Sequence, residues 1–270
     1  MKLSMWTSYY ADLTPEEAVR LLKENGYEFC EFSDEHGAAL LARGNAKEVG
    51  AAFRAYCESI GMQVTQGHLH LHVRLCDESM PVLEIMYRWF DLFLAIGIKN
   101  AVLHCDAMPR SSLSREEKKE KNLAILKQLT EYLKGTDLVI CLENLTSICE
   151  NADEIMWFVE KLDSPNVGIC LDTGHLNIVP DTTPDHVAFI RRAGKHLKAL
   201  HIADNEGTRD QHLLPFSVGK VDFPAVVSTL KEIGYDGLFN YEVPGERRAP
   251  LEIRAAKLAY AKAIFEYLNK

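Results

Sequence analysis

The sequence predicts an α/β fold, a (β/α)8 TIM barrel, and three observations carry that reading. Eight short apolar runs alternate with eight helix patterns along the 270 residues. The runs are continuously apolar, as strands are when both of their faces are covered. Several of them end in a carboxylate or an imidazole, which puts chemistry at one end of a parallel sheet, where the mouth of a barrel lies. An open doubly wound sheet is the alternative. No Gly-x-Gly-x-x-Gly follows the first run and no Walker A string occurs, so neither nucleotide-binding fold gains support.

The elements follow in order. A strand covers about Leu3 to Thr7. A helix then opens on Thr14 as N-cap, with Pro15 in its first turn and Glu17 completing a capping box, and Gly26 ends it. "YEFCEFS" (27–33) is the second strand, and 34–46, with two glycines, reads as a loop. The next helix runs from Lys47 to Ile60 with Phe53, Tyr56 and Cys57 on one stripe. "MQVTQGHLHLH" (62–72) is the third strand and its mouth. Ser79 and Pro81 open a helix to Ile96, with Val82, Ile85, Met86, Trp89, Phe90 and Phe93 at helical spacing. "NAVLHC" (100–105) is strand four, and Ser114 with Glu117 caps the helix beyond it. "DLVICLEN" (137–144) is strand five, followed by a helix capped by Asn151 and Glu154 and ending near Leu162. "NVGICLD" (166–172), a short helix over 185–194, and "HLKALHIAD" (196–204) come next. Asp222 and Pro224 start a helix, "GLFNYEV" (237–243) is strand eight, and a helix over 250–268 closes the chain. No internal repeat breaks this series, so residues 1–270 read as one domain.

Composition narrows the function. The chain is 47% apolar and 26% charged, with a formal net charge of −9. That charge opposes broad binding to nucleic acid or to an anionic membrane, both of which need positive surface. Seven cysteines are scattered, several inside apolar runs, which is the usage of reduced buried thiols. No signal peptide and no apolar span are read, so a cytoplasmic location is expected.

At the mouth the reading places His68, His104, Glu143, Asp172, His201 and Glu242, with His175, Asp210 and His212 nearby. Carboxylates with imidazoles and no thiolate suit Mn²⁺, Mg²⁺, Co²⁺ or Zn²⁺. Each residue also has a plainer reading. Glu143 and Glu242 could cap helices or pair with cations, Asp172 could cap its own turn, and His175 could be a loop histidine. Asp210 and His212 could decorate a surface loop. Unpaired buried carboxylates are costly, so two at equivalent strand ends favour a shared cation. His68, His70 and His72 alternate, so an extended strand would set all three on one face. Cys105 and Cys141 read as core, and His36, His186 and His196 as structural or surface positions. Trp6, Phe32 and Trp157 are candidate pocket walls or core.

The chain resembles the xylose isomerase-like TIM-barrel superfamily, in particular its sugar phosphate isomerase/epimerase-like proteins, whose distant relatives include endonuclease IV. The resemblance rests on "CLEN" (141–144), "LDTGH" (171–175), "HIADNEG" with "DQH" and "VGKVDF" (201–223), and "YEVPG" (241–245). It implies one divalent metal held by Glu143, Asp172, His201 and Glu242, with His175 facing the substrate. In endonuclease IV-like members the cluster grows to three zinc ions, and the extra ligands match His68, His104, His175, Asp210 and His212. One ion and a cluster of two or three zinc ions therefore both remain open.

The activity implied is isomerisation or epimerisation of a ketose or keto-polyol, with Glu143 and Glu242 taking and returning a proton beside a metal-bound carbonyl. Dehydration of a keto-inositol-type substrate shares the first step. Phosphodiester cleavage at abasic DNA is the rival. It is disfavoured because the mouth loops are acidic and Arg110, Arg115 and Arg209 are the only obvious basic residues there. A catalytically inactive sugar-binding barrel is the third class. The expected partner is thus a small sugar-like molecule. Barrels of this kind commonly pair, which makes a homo-oligomer compatible with the sequence.

Overall fold

The computed structural model describes residues 1–180 and 184–270. Eight parallel strands form the barrel: β1 (Lys2–Trp6), β2 (Phe29–Phe32), β3 (Gln63–His68), β4 (Asn100–Leu103), β5 (Val139–Glu143), β6 (Val167–Asp172), β7 (Leu197–His201) and β8 (Leu238–Tyr241). Neighbours in sequence are neighbours in space, and β8 lies beside β1. The ring closes between β7 and β8 just past the strand ends. There Ile202 N–H donates to the Asn240 carbonyl at 2.8 Å, and Glu242 N–H donates to the Ile202 carbonyl at 3.2 Å.

The helices are α1 (Pro15–Glu24), α2 (Asp34–Leu41), α3 (Ala46–Ser59), α4 (Val82–Ile96), α5 (Arg115–Tyr132), α6 (Ala152–Leu162), α7 (Thr173–Asn177), α8 (His186–Ala193), α9 (Phe223–Glu232) and α10 (Leu251–Leu268). The capping signals act as read. Thr14 Oγ1 accepts from Glu17 N–H while the Glu17 carboxylate accepts from Thr14 N–H, and Ser114 with Glu117 repeats the device on α5. Asn151 and Asp222 cap α6 and α9 through their side-chain oxygens.

Two expectations are corrected. Residues 34–41 are helical, not a loop. Gly37, taken as a loop signal, is there for close packing: a Cβ on it would meet the Trp89 ring of α4 at 2.3 Å. The third strand ends at His68, so the alternation of three histidines does not continue on one face. His70 instead stacks on Trp89, with ring centroids 5.4 Å apart, and His72 lies edge-on to it.

The main core fills the space between strands and helices. Inside the barrel a smaller cluster of Val102, Cys141, Cys170 and Ala199 lies two residues below His104, Glu143, Asp172 and His201. By strand alternation both layers face the same way. The C-terminal layer is polar and the one beneath it partly apolar, so the strand ends sit on a packed floor. All seven cysteines are free thiols. Among the described residues no helix is long and apolar enough to cross a membrane.

The loop after β8 is held against the turn that follows β1. A Cβ on Gly245 would lie 1.8 Å from the Tyr9 carbonyl oxygen, and backbone cannot retreat as a flexible side chain can. Gly245→Ala is expected to destabilise the protein by about 1–3 kcal/mol through overpacking, read as a lower urea midpoint with unchanged slope. An unshifted midpoint would contradict this contact.

Candidate metal centre

The apolar residues Val139, Ile140 and Leu142 make β5 a strand, and alternation turns Cys141 and Glu143 inward. The same rule turns Asp172 inward from β6 and His201 from β7. Glu242 follows β8. Donor atoms of Glu143, Asp172, His201 and Glu242 all lie within 4.8 Å of one another, and all four side chains are buried. His201 Nδ1 is 3.2 Å from Glu242 Oε2, 3.4 Å from Glu143 Oε1 and 3.9 Å from Asp172 Oδ2. Donors sharing an ion at the usual metal–ligand length of about 2.0–2.2 Å are spaced in this way.

Asp172 caps its own turn and still leaves one oxygen free at the centre. Its Oδ1 accepts from His175 N–H at 2.7 Å and caps α7, while Oδ2 is left without a partner. His201 Nδ1 and Glu242 Oε2 are also buried without a hydrogen bond. Leaving such atoms bare costs on the order of 1–3 kcal/mol each. Three of them aimed at one point fit a divalent cation, and the oxygen and nitrogen donors suit Mn²⁺, Co²⁺, Zn²⁺ or Mg²⁺. Cys170 lies near Glu143 and His201, and burial pushes its thiol well above the ordinary value.

The other candidates ring this group. His104 Nε2 is 2.9 Å and His68 Nε2 3.4 Å from Glu143 Oε2. His175 Nδ1 contacts the Asn144 carbonyl at 3.0 Å and Glu143 Oε1 at 3.1 Å. Asp210 Oδ2 lies between His175 Nε2 (3.3 Å) and His212 Nε2 (2.9 Å), so this loop pair belongs to the mouth and is not surface decoration. An antiparallel bridge between Asp204 and Leu213 folds the loop inward. Of the proposed pocket walls only Trp6 stands at the mouth, stacked on His212 with ring centroids 6.0 Å apart. Phe32 is fully buried in the core. Trp157, on α6, lies under the Lys119 ammonium, 4.1 Å from its ring centroid. His36 and His186 are buried and bonded to Thr7 and to the Thr173 carbonyl, which are structural roles.

The electrostatics are those of crowded acids facing imidazoles. Burial pushes Asp172 up to about 8, with His175 opposing and Glu242 and Glu143 adding to the rise. Burial is the largest single influence on Glu143 and Glu242 too, but the facing imidazoles, His201 first among them, together outweigh it. Glu143, helped by His104, is held well below the carboxylate range, and Glu242 at about 2. His201 and His175 are held well above the usual imidazole value by the surrounding carboxylates, against burial.

Several residues escaped the sequence reading. Glu31 on β2 is fully buried and its Oε1 lies 3.0 Å from His201 Nε2. Gln66 and Asn240 donate to its other oxygen. The available signal was a carboxylate inside the apolar run Phe29-Cys30-Glu31-Phe32. Asn144 ties β5 to β6, accepting from Asp172 N–H at 2.7 Å and donating to the Asp172 carbonyl at 2.9 Å.

Comparison with known proteins agrees with this architecture. The chain is 29% identical over 67% of its length to the uncharacterized protein y4fM of Sinorhizobium fredii, covering 58% of that protein. It is 31% identical over 53% of its length to a probable endonuclease 4 of Mesomycoplasma hyopneumoniae, covering 54% of it. The chain thus spans about half the length of the curated relatives it matches. The solved structure of D-psicose 3-epimerase with D-tagatose from Clostridium cellulolyticum H10 shares the fold, with a TM-score of 0.80 at 17% identity over 99% of each chain. The model of the xylose isomerase-like TIM barrel matches residues 19–265, and the chain belongs to that family.

Proposed function

We propose that this protein is a divalent-metal-dependent isomerase or epimerase of a ketose or keto-polyol, working as a cytoplasmic small-molecule enzyme. The observation that carries the reading is the convergence of Glu143, Asp172, His201 and Glu242 with three of their donor atoms unpartnered. The likeness in fold to a D-psicose 3-epimerase supports it.

A divalent cation held by these four side chains would supply Lewis-acid polarisation of a carbonyl beside the C–H bond that breaks. The chain's own residues do the rest. Glu143 and Glu242 reach the centre from strand ends three places apart around the ring. One takes the proton from carbon. The other, having taken a proton from solvent, delivers that proton to the opposite face for epimerisation or to the neighbouring carbon for isomerisation, and exchange with solvent resets both carboxylates. Both carboxylates are weak bases here, and fixed placement offsets that weakness. His104 holds one oxygen of Glu143, which leaves Oε1 for the centre. His175 Nε2 stands where it can donate to a substrate oxygen, and Trp6 walls the mouth.

The test is exchange. Protein loaded with Mn²⁺ or Co²⁺ and incubated in D2O with a panel of ketohexoses, ketopentoses and keto-inositols is expected to place deuterium on the carbon next to the carbonyl. No exchange with any of them, together with cleavage of an abasic-site duplex, would replace this reading with the second.

That second reading, a multi-zinc phosphodiesterase, is favoured by one specific feature. Nδ1 of His68, His175 and His212 each faces a backbone carbonyl, of Leu69, Asn144 and Glu242 respectively. Carbonyls only accept, so each Nδ1 carries a hydrogen and a neutral ring aims the Nε2 lone pair outward. Those Nε2 atoms face Glu143 or Asp210 oxygens. Lone pair against carboxylate requires an imidazolium or a cation between them. The net charge of −9 opposes a DNA substrate, which keeps this reading second. Plasma mass spectrometry on protein purified without chelator separates the two: about one ion per chain supports the first, and three zinc ions the second.

A further inference from the structure

Glu31 touches none of the acids at the centre, yet it sits behind the one histidine among the four donors. It is fully buried on β2, and its carboxylate meets side-chain nitrogens of three other strands. Oε1 lies 3.0 Å from His201 Nε2. Oε2 accepts from Gln66 Nε2 of β3 at 2.7 Å and from Asn240 Nδ2 of β8. Asn240 in turn accepts from Ser4 Oγ of β1 at 2.8 Å. Four adjacent strands thus converge on one carboxylate, and that carboxylate meets the imidazole from β7 across the barrel.

Two amide NH2 groups can only donate, so they hold Glu31 as an acceptor. An acceptor at His201 Nε2 places the ring hydrogen there. The lone pair then falls on Nδ1, the buried atom that has no partner and faces Glu143, Asp172 and Glu242. Without that constraint, the three carboxylates facing Nδ1 would draw the hydrogen there and block ligation.

We propose that Glu31, held by Gln66 and Asn240, is a positioning residue that sets the tautomer and ring orientation of His201 and so prepares Nδ1 as a metal donor. The role rests on the metal-centre reading above. Carboxylates behind ligating histidines commonly matter this much: losing one costs about 10- to 100-fold in metal affinity.

The test is Glu31→Gln. An amide in that place must turn a donor either toward His201 or toward the two existing donors of Gln66 and Asn240. The expected result is Co²⁺ affinity weakened about 10- to 100-fold in a visible-absorption titration. In metal-free protein, at a pH high enough that the His201 ring is neutral, ¹⁵N spectra should show its hydrogen moving from Nε2 toward Nδ1. Weakened affinity with an unchanged ¹⁵N pattern would mean that Glu31 does not act through the tautomer of His201, and would overturn the role. Affinity within twofold of the parent for Glu31→Gln, with an unchanged ¹⁵N pattern, would equally overturn the role. If the parent binds no Co²⁺ at all, the metal-centre reading fails by itself. The ¹⁵N comparison on metal-free protein still decides whether Glu31 sets the tautomer.

Discussion

Glu143→Gln is expected to lower proton exchange at the carbon beside the substrate carbonyl by about a thousandfold, within the range attributed to a positioned acid–base group. The amide keeps the volume of the side chain, so the packing of β5, with Ile140, Cys141 and Leu142 all buried, is undisturbed and the barrel should form. What is lost is specific. Glutamine cannot take a proton from carbon, and it exchanges one of the anionic donors grouped with Asp172, His201 and Glu242 for a neutral one. Glu143→Asp keeps the charge but withdraws the carboxylate by one methylene. A displacement of about 1 Å at a reacting group costs on the order of a hundredfold, so this variant should fall between the two. The measurement is deuterium incorporation per unit time at saturating Mn²⁺, alongside circular dichroism to establish folding. Near-parental exchange by a folded Glu143→Gln protein would remove Glu143 from the proton path and leave Glu242 to be tested alone.

The parts of this site that the sequence reveals are those fixed by local rules. A strand of Ile, Val, Leu and Cys ending in Glu143, Asp172 or His201 declares both its fold and its mouth, because alternation and the C-terminal location of barrel sites are enough to place those residues. The capping boxes at Thr14 and Ser114 are equally local. Glu31 is the opposite case. Its partners Gln66, His201 and Asn240 lie 35, 170 and 209 positions away, and no window of sequence contains them together. A charged residue in an apolar strand is a hint, but only closure of the ring says what it meets. Residues 34–41 were obscured for a related reason. Gly37 lowers helix propensity locally, and its value is the approach to Trp89, fifty-two positions on, which propensity cannot register. His70 and His72 were set on a strand face by extending β3 four residues too far, since the strand ends at His68.

Metal loading is expected to raise the melting temperature, and to raise it more as the solution becomes less acidic. An ion at a hundred times its dissociation constant adds about 2.7 kcal/mol to the folded state. For a chain of this size that is roughly 5–11 °C. The pH dependence follows from Asp172, which burial pushes up to about 8 in the metal-free protein. A carboxyl whose folded value exceeds its unfolded one stabilises the metal-free fold in acid, and that contribution is lost as pH rises through about 8. Binding an ion needs the same group ionised, so the ion displaces a proton at neutral pH. His201, held well above the usual imidazole value, must also give up a hydrogen at Nδ1, which makes one proton a lower bound. Affinity should therefore rise at least about tenfold from pH 6 to pH 7, worth about 1.4 kcal/mol, and the gap between loaded and metal-free melting curves should widen accordingly. Calorimetry of Mn²⁺ binding at pH 7 in two buffers of different ionisation enthalpy counts the protons directly. Binding that releases none, or melting curves that ignore excess Mn²⁺, Co²⁺ and Zn²⁺ after chelation, would mean that the three unpartnered atoms of Asp172, His201 and Glu242 do not share a cation.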